Sequence, residues 1–246
     1  MNMMETINID AQIYISNFLR DVEKIKLSMC CKKLDQLKHN YRYADRIDID
    51  KICALPYYNN FTKIKTSYLF EKIIGSNYLY GNKLSIKLPI NLINLKCSNI
   101  DILLSKNMIS NSVTHLKLTG YINTNIKNLP SHITNLNLGT QFFRSIDNMI
   151  PSSITYLALN YSFIGSIENN IPSSVFCLKV GMNFQRNLKH IPPTVIHLIF
   201  YSELDWRELP ATVTILTQKR TPKYLLDTIP TNLPPTVKHF YRLAKK

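Results

Sequence analysis

Six histidines, five cysteines and sixteen carboxylates are the side chains with which this chain of 246 residues could do acid–base, nucleophilic or metal chemistry. The histidines stand at 39, 115, 132, 190, 197 and 239. His115, His197 and His239 share one feature: each lies five residues after a proline or its serine substitute (Ser110, Pro192, Pro234). Three imidazoles in one column would suit a metal ion only if they met. On short strands spaced by about 4.8 Å, several strands apart, they cannot share one ion. The cysteines have no metal-ligand spacing, and adjacent Cys30-Cys31 is poor geometry for a mutual disulfide. Six scattered glycines leave no phosphate-cradling loop. There is no His-Glu-x-x-His, no Cys-x-x-Cys and no Gly-x-Ser-x-Gly. The chain therefore reads as a non-enzyme with no cofactor, no metal and no small-molecule substrate.

The chemistry that remains is recognition, and a repeat positions it. Pro130, Pro151, Pro172 and Pro192 recur at steps of 21, 21 and 20 residues. Proline fixes its own φ and donates no hydrogen bond, so it suits a bend ahead of a strand. Three residues on stands an apolar residue (Ile133, Ile154, Val175, Val195), and six on a leucine (Leu136, Leu157, Leu178, Leu198). Eight on it is apolar again (Leu138, Leu159, Val180, Phe200). Alternation with period two predicts a short strand with one buried face. Phe142, Phe163 and Phe184, then Ile146, Ile167 and Leu188, would fill each coil from the other side.

The register extends to anchors at Pro89, Ser110, Pro210 and Pro234, giving eight copies. Leucine holds the sixth position in seven of the eight, which chance clustering does not produce. A period near 20 residues is the mark of a solenoid. In the last two copies Gln218 and Arg242 replace the apolar eighth residue, as a polar terminal cap requires. Trp206, the sole tryptophan, falls in the shortest step and reads as local packing.

The repeat resembles the FNIP repeat, a relative of the leucine-rich repeat. The match is best across Pro130–Leu188, where Asn183-Phe184-Gln185 stands close to the family's Phe-Asn-x-Pro core; the second proline of that core is missing. Residues 1–45 read as three short helices. Asp10 is the expected cap of the first, with Ile13, Ile15, Phe18 and Leu19 available for burial. Asp21 is the expected cap of the second, which carries Val22, Ile25 and Met29. The third runs through Leu34 and Leu37 towards Tyr41. This segment resembles an F-box. Leu27-Ser28-Met29-Cys30-Cys31-Lys32-Lys33-Leu34 matches the family's Leu, Ser, Cys and Lys in register, with Leu34 in place of its tryptophan. Ile7-Asn8-Ile9-Asp10 stands where the family opens with Leu-Pro-x-Glu, and Leu19 falls at the helix end.

The expected fold is α+β: a small N-terminal helical F-box-like module (1–45), irregular first coils or linker (46–87), and a leucine-rich-repeat-like parallel β-solenoid of about eight coils of ~21 residues with a basic C-terminal cap (88–246). Arg46–Asp50, Phe61–Lys65 and Leu84–Ile86 are its expected early strands, and Leu69–Ile74 a short helical stretch. With positions six and eight turned in, five, seven and nine turn out. That column includes Asn94, Lys96, His115, Lys117, Thr119, Asn135, Asn137, Tyr156, Asn160, Lys179, His197 and Tyr201. The mixture of lysine, amide, imidazole and phenol suits a protein partner of ordinary epitope size.

The resemblance implies an adaptor of a cullin–RING ubiquitin ligase. The helical module would engage a Skp-type subunit through Ile13, Leu19 and Leu27, and the repeats would hold a target protein. The family's distribution in amoebae and in the large DNA viruses that infect them implies that a viral chain would redirect its host's ligase. A scaffold whose helices only cap the solenoid is the alternative. The formal charge of +14 raises a third, nucleic-acid binding. Residues 1–50 balance eight bases against eight acids, so the whole excess lies beyond them. The lysines are scattered and no nucleic-acid motif is present, which weighs against that reading. No apolar run approaches a membrane span and no leader pattern opens the chain, so the expected compartment is cytoplasmic or nuclear.

Overall fold

A computed structural model describes residues 8–66, 87–105, 107–119, 126–139, 146–159, 163, 165–181, 184–201, 204–219 and 233–243. It forms two compact units: Met1–Cys97 with Ile102–Thr114, and Ser98–Asp101 with His115–Lys246.

The first unit opens with helices α1 (Ile9–Ser16), α2 (Asp21–Ser28) and α3 (Lys32–Gln36), followed by a 3₁₀ turn at Leu37–His39. Asn8, not Asp10, caps α1: its side-chain oxygen accepts from the Asp10 N–H at 3.2 Å. Both residues are good caps, and the one that precedes the first turn takes the role. Arg20 rather than Asp21 precedes α2, and the Glu23 carboxylate reaches back to the Arg20 N–H at 2.8 Å. Leu34, Leu37, Tyr41 and Tyr43 are buried as the apolar pattern requires. Tyr43 stacks on Phe61 with ring centroids 4.5 Å apart.

The first two helices are inverted relative to the expectation. Gln12 and Ser16 of α1 and Asp21, Lys24 and Ser28 of α2 are buried. Ile15, Phe18, Val22, Ile25 and Met29, which the sequence offers as core, are exposed, Phe18 to 74% and Met29 to 78%. Ile13, Leu19 and Leu27 are half-buried. The inversion has a cause. Asp21 accepts from Lys24 Nζ at 3.1 Å and from the backbone N–H groups of Ala44 (3.1 Å) and Asp45 (2.7 Å). Lys24 also donates to the Arg42 carbonyl. A buried ion pair is tolerated when hydrogen bonds satisfy its remaining polar atoms, as here. This network holds α2 to the Arg42–Asp45 segment by its polar side.

Three parallel strands complete the first unit: β1 (Ile47–Asp48), β2 (Lys63–Lys65) and β3 (Asn94–Cys97), with Ile64 opposite Ile47 and Leu95. The proposed strand at Leu84–Ile86 and helical stretch at Leu69–Ile74 lie outside the described residues. Helix α4 (Ile100–Ser105) follows, burying Ile100 and Leu103.

The second unit holds β4 (His115–Leu118), β5 (Asn135–Leu138), β6 (Tyr156–Ala158), β7 (Cys177–Lys179), β8 (His197–Phe200), β9 (Ile215–Lys219) and β10 (His239–Leu243). Each pairs in parallel with its neighbour in sequence. The register sets Leu116, Leu136, Leu157, Leu178, Leu198, Leu216 and Phe240 opposite one another. Leu136, Leu157, Leu178 and Leu198 are each 0% exposed, so the leucine column is the spine of the core. Phe163, Phe184, Ile146, Ile167 and Leu188 are buried as expected; Phe142 lies outside the described residues.

The anchors explain how each coil turns. In all eight copies the anchor carbonyl accepts from the N–H three residues on, at 3.0 to 3.2 Å: Pro89–Leu92, Ser110–Val113, Pro130–Ile133, Pro151–Ile154, Pro172–Val175, Pro192–Val195, Pro210–Val213 and Pro234–Val237. A turn of this type uses the anchor's carbonyl and not its N–H, so proline and serine both serve. A hydroxyl two residues after several anchors then ties the copy to its predecessor. Ser153 donates to the Ile133 carbonyl (2.9 Å), Ser174 to Ile154 (2.7 Å) and Thr194 to Val175 (3.1 Å). At the far end, Arg242 Nε donates to Gln218 Oε1 at 3.2 Å, so the two polar residues that interrupt the inner column pair with each other.

Candidate functional site

Two surfaces could bind protein: the outer side of the strands and the apolar side of α1 and α2.

The outward column is less uniform than its spacing implies. Asn94 and Lys96 lie on β3 of the first unit. His115 and Lys117 (β4), Asn135 and Asn137 (β5), Tyr156 (β6), Lys179 (β7) and His197 (β8) lie on the second unit, with Tyr201 just past β8. His115 is exposed and the others are half-buried. Asn160 falls outside the described residues. His115 and His197 sit four strands apart, about 19 Å, so the imidazoles do not meet. Among the described residues no group of three potential ligands could hold a metal.

The register does bring several outward residues together. Tyr156, Cys177 and His197 stand side by side on β6, β7 and β8, and Ala158, Lys179, Ile199 and Thr217 form the next row. His197 bridges its row to the next: Nδ1 lies 3.5 Å from Cys177 Sγ and Nε2 2.8 Å from Thr217 Oγ1. Lys179 Nζ sits 5.2 Å from the Tyr201 ring centre, a cation over an aromatic face. The outward alternation failed to indicate that Ala158, Cys177, Ile199 and Thr217 are buried. Three of the four are small or apolar, which is the signal that was there to find.

Burial sets the electrostatics of this patch. It pushes the Tyr156 phenol up to about 12 and the Cys177 thiol up to about 11. It holds the Lys179 amine below the usual lysine value and the His197 imidazole below the usual histidine value. Both neutral acids therefore keep their protons at neutral pH. Cys177 is no thiolate nucleophile, since the reactive form is the one burial suppresses.

Residues 122–162 match the family model of the FNIP repeat. Over that stretch the chain is similar to FNIP repeats. The matched segment includes β5 and β6 with the anchors at Pro130 and Pro151. A putative F-box protein of Acanthamoeba polyphaga mimivirus is 38% identical over 60 residues, which is 24% of this chain and 45% of that protein. The chain thus matches less than half the length of that curated relative. Among solved structures, a circular leucine-rich-repeat protein (CroV588) is 24% identical with a TM-score of 0.46, over 75% of this chain and 27% of that one.

The second surface was expected on the helices through Ile13, Leu19 and Leu27, which are half-buried; the more exposed apolar residues are ones expected in the core. Tyr14 and Phe18 meet edge to face at 5.4 Å on the solvent side of α1, and Val22, Ile25 and Met29 lie along one side of α2. Positions 22, 25 and 29 fall within about 60° of one another on a helix, so they form a stripe. Exposed apolar residues are ordinary singly, whereas a stripe of them is a candidate contact surface.

Proposed function

We propose that this repeat protein is an F-box-type adaptor, in which α1 and α2 dock on a Skp-type ubiquitin-ligase subunit and the repeats hold a target protein. One observation carries the reading: the first two helices bury their polar residues and present their apolar ones. Phe18, Val22, Ile25 and Met29 are the more exposed apolar side chains of this docking surface, and Ile13, Leu19 and Leu27 are its half-buried ones. The adaptor does no bond chemistry. It raises the effective concentration of target lysines near the ubiquitin-charged enzyme, a proximity effect set by geometry alone. The work belongs to the cytoplasm or nucleus, where the ligase machinery is found, and to the host's cytoplasm if the chain is viral.

The test is capture of a purified Skp-type subunit by the full chain. Phe18→Asp with Met29→Asp should abolish capture while leaving the thermal melt unchanged. Equal capture by wild type and variant, or none by a folded wild type, would sink the reading.

A second reading has its own support. The Asp21–Lys24 network holds α2 to the first coil of the same unit, as expected if the helices only close the solenoid of a plain scaffold. Under it, no Skp-type subunit is captured at all.

A further inference from the structure

We propose that the outer face of β6–β8 takes an acidic segment of a protein, one carboxylate of which pairs with Lys179 beside Tyr156 and Tyr201. This rests on the reading that the repeat face holds a target, and it names the target's chemistry.

Charge comes first. Strands β4 to β10 contain no Asp or Glu, while they carry Lys117, Lys179, Lys219 and Arg242. Residues 115–246 as a whole hold 14 Lys and Arg against six Asp and Glu. The described carboxylates lie in the connections between strands, and three are engaged there. Asp147 accepts from Asn170 at 2.7 Å, Glu168 lies 3.7 Å from His190, and Asp205 pairs with Arg207 at 2.7 Å. The outer face is thus left without a negative charge of its own among the described residues.

Lys179 is the point at which this matters. Ala158 and Ile199 flank it in its row, so it is the single cation of that row on β6, β7 and β8. It is half-buried, and its amine meets an aromatic ring and no carboxylate among the described residues. Burial disfavours the charged amine, and an incoming carboxylate offsets that cost by favouring the charged form. Ala158 and Ile199 are enclosed, so a partner reaches this row only at the half-buried Lys179.

A nucleic acid fits less well. It presents a charge at every nucleotide and is met by closely spaced cations. Lys117 and Lys179 are separated by β5 and β6, whose outward residues are Asn135, Asn137, Tyr156 and Ala158. One desolvated cation among tyrosines suits an isolated carboxylate.

The experiment screens the full chain against an array of short peptides graded in Asp and Glu content. The tightest binders are then measured by fluorescence anisotropy, with a single-stranded DNA oligonucleotide as rival probe. Acidic peptides should bind best, Lys179→Gln should weaken them about tenfold and Lys179→Glu more. Lys51→Glu, an exposed lysine of the first unit, should change nothing. If a Lys179 variant fails to fold, NMR of the reductively dimethylated wild-type chain replaces it, and the Lys179 signal should shift on adding the acidic peptide. Binders without acidic enrichment, a Lys179→Glu chain that binds like wild type, an unmoved Lys179 signal, or DNA binding as tight as the best peptide would each overturn the proposal. Neutral peptides that bind and are lost in Tyr156→Arg overturn this inference alone. No peptide of either kind binding overturns the target-holding reading with it.

Discussion

Asp21 and Lys24 face inward one turn apart on α2, 3.1 Å from each other, with side chains 11% and 4% exposed. Their outer partners, the Arg42 carbonyl and the N–H groups of Ala44 and Asp45, lie 18 to 24 residues along the chain. Removing one member leaves the other buried and uncompensated, which costs about 3–5 kcal/mol. Asp21→Ala should therefore lower the urea midpoint sharply, while Val22→Ala on the exposed side should change the stability by less than about 0.5 kcal/mol. Equal, small effects would show that the network does not hold the helix.

The leucine column predicts a second outcome. Leu157 and Leu178 are opposite one another and fully enclosed. Leu178→Ala removes three buried carbons and leaves a cavity that a stacked coil cannot easily collapse, at about 2–5 kcal/mol. Chemical denaturation should show that loss, and the double variant with Leu157→Ala should depart from additivity because the two cavities adjoin.

Gly139 gives a third. A Cβ placed there would run into the Leu118 carbonyl of the preceding strand, a backbone atom that cannot swing aside. Glycine in this position marks the close approach of two chains. Gly139→Ala should destabilise the second unit by about 1–3 kcal/mol, read as a lower midpoint with an unchanged denaturant slope.

His197 predicts a pH dependence. Burial holds its folded pKa below the ordinary value of 6.5, so the unfolded chain binds the proton first. Its contribution to stability is present above about pH 6.5 and is lost as the pH falls through the depressed folded value. The wild-type melting temperature should drop between about pH 7 and pH 5 more steeply than that of His197→Gln. Parallel slopes would refute the assignment.

The spine was fully legible. Alternation with period two, restarted by an anchor every 20 or so residues, specifies both strand and register. The polarity of α1 and α2 was not. Hydropathy assigns Val22, Ile25 and Phe18 to a core, and the ion pair that reverses the helix depends on partners far along the chain. The outer patch was half legible. The His197–Thr217 contact is diagonal: register sets His197 opposite Ile215 and Thr217 opposite Ile199, so register alone does not pair them. The burial of Ala158 and Ile199 needed the composition of the row, not only its direction. Helix α4 gave no strong sequence signal, being six residues long with only Ile100 and Leu103 enclosed.

The hydroxyls of Ser153, Ser174 and Thr194 each reach back a single coil. Junctions made this way are interchangeable, because each is the same bond between the same two places in the period. An unequal genetic exchange that adds or drops one whole period leaves every other junction as it was. The array can therefore change length by duplication without passing through an unfolded ancestor, and the outer face can acquire a new row of side chains while the hydrophobic spine is merely copied.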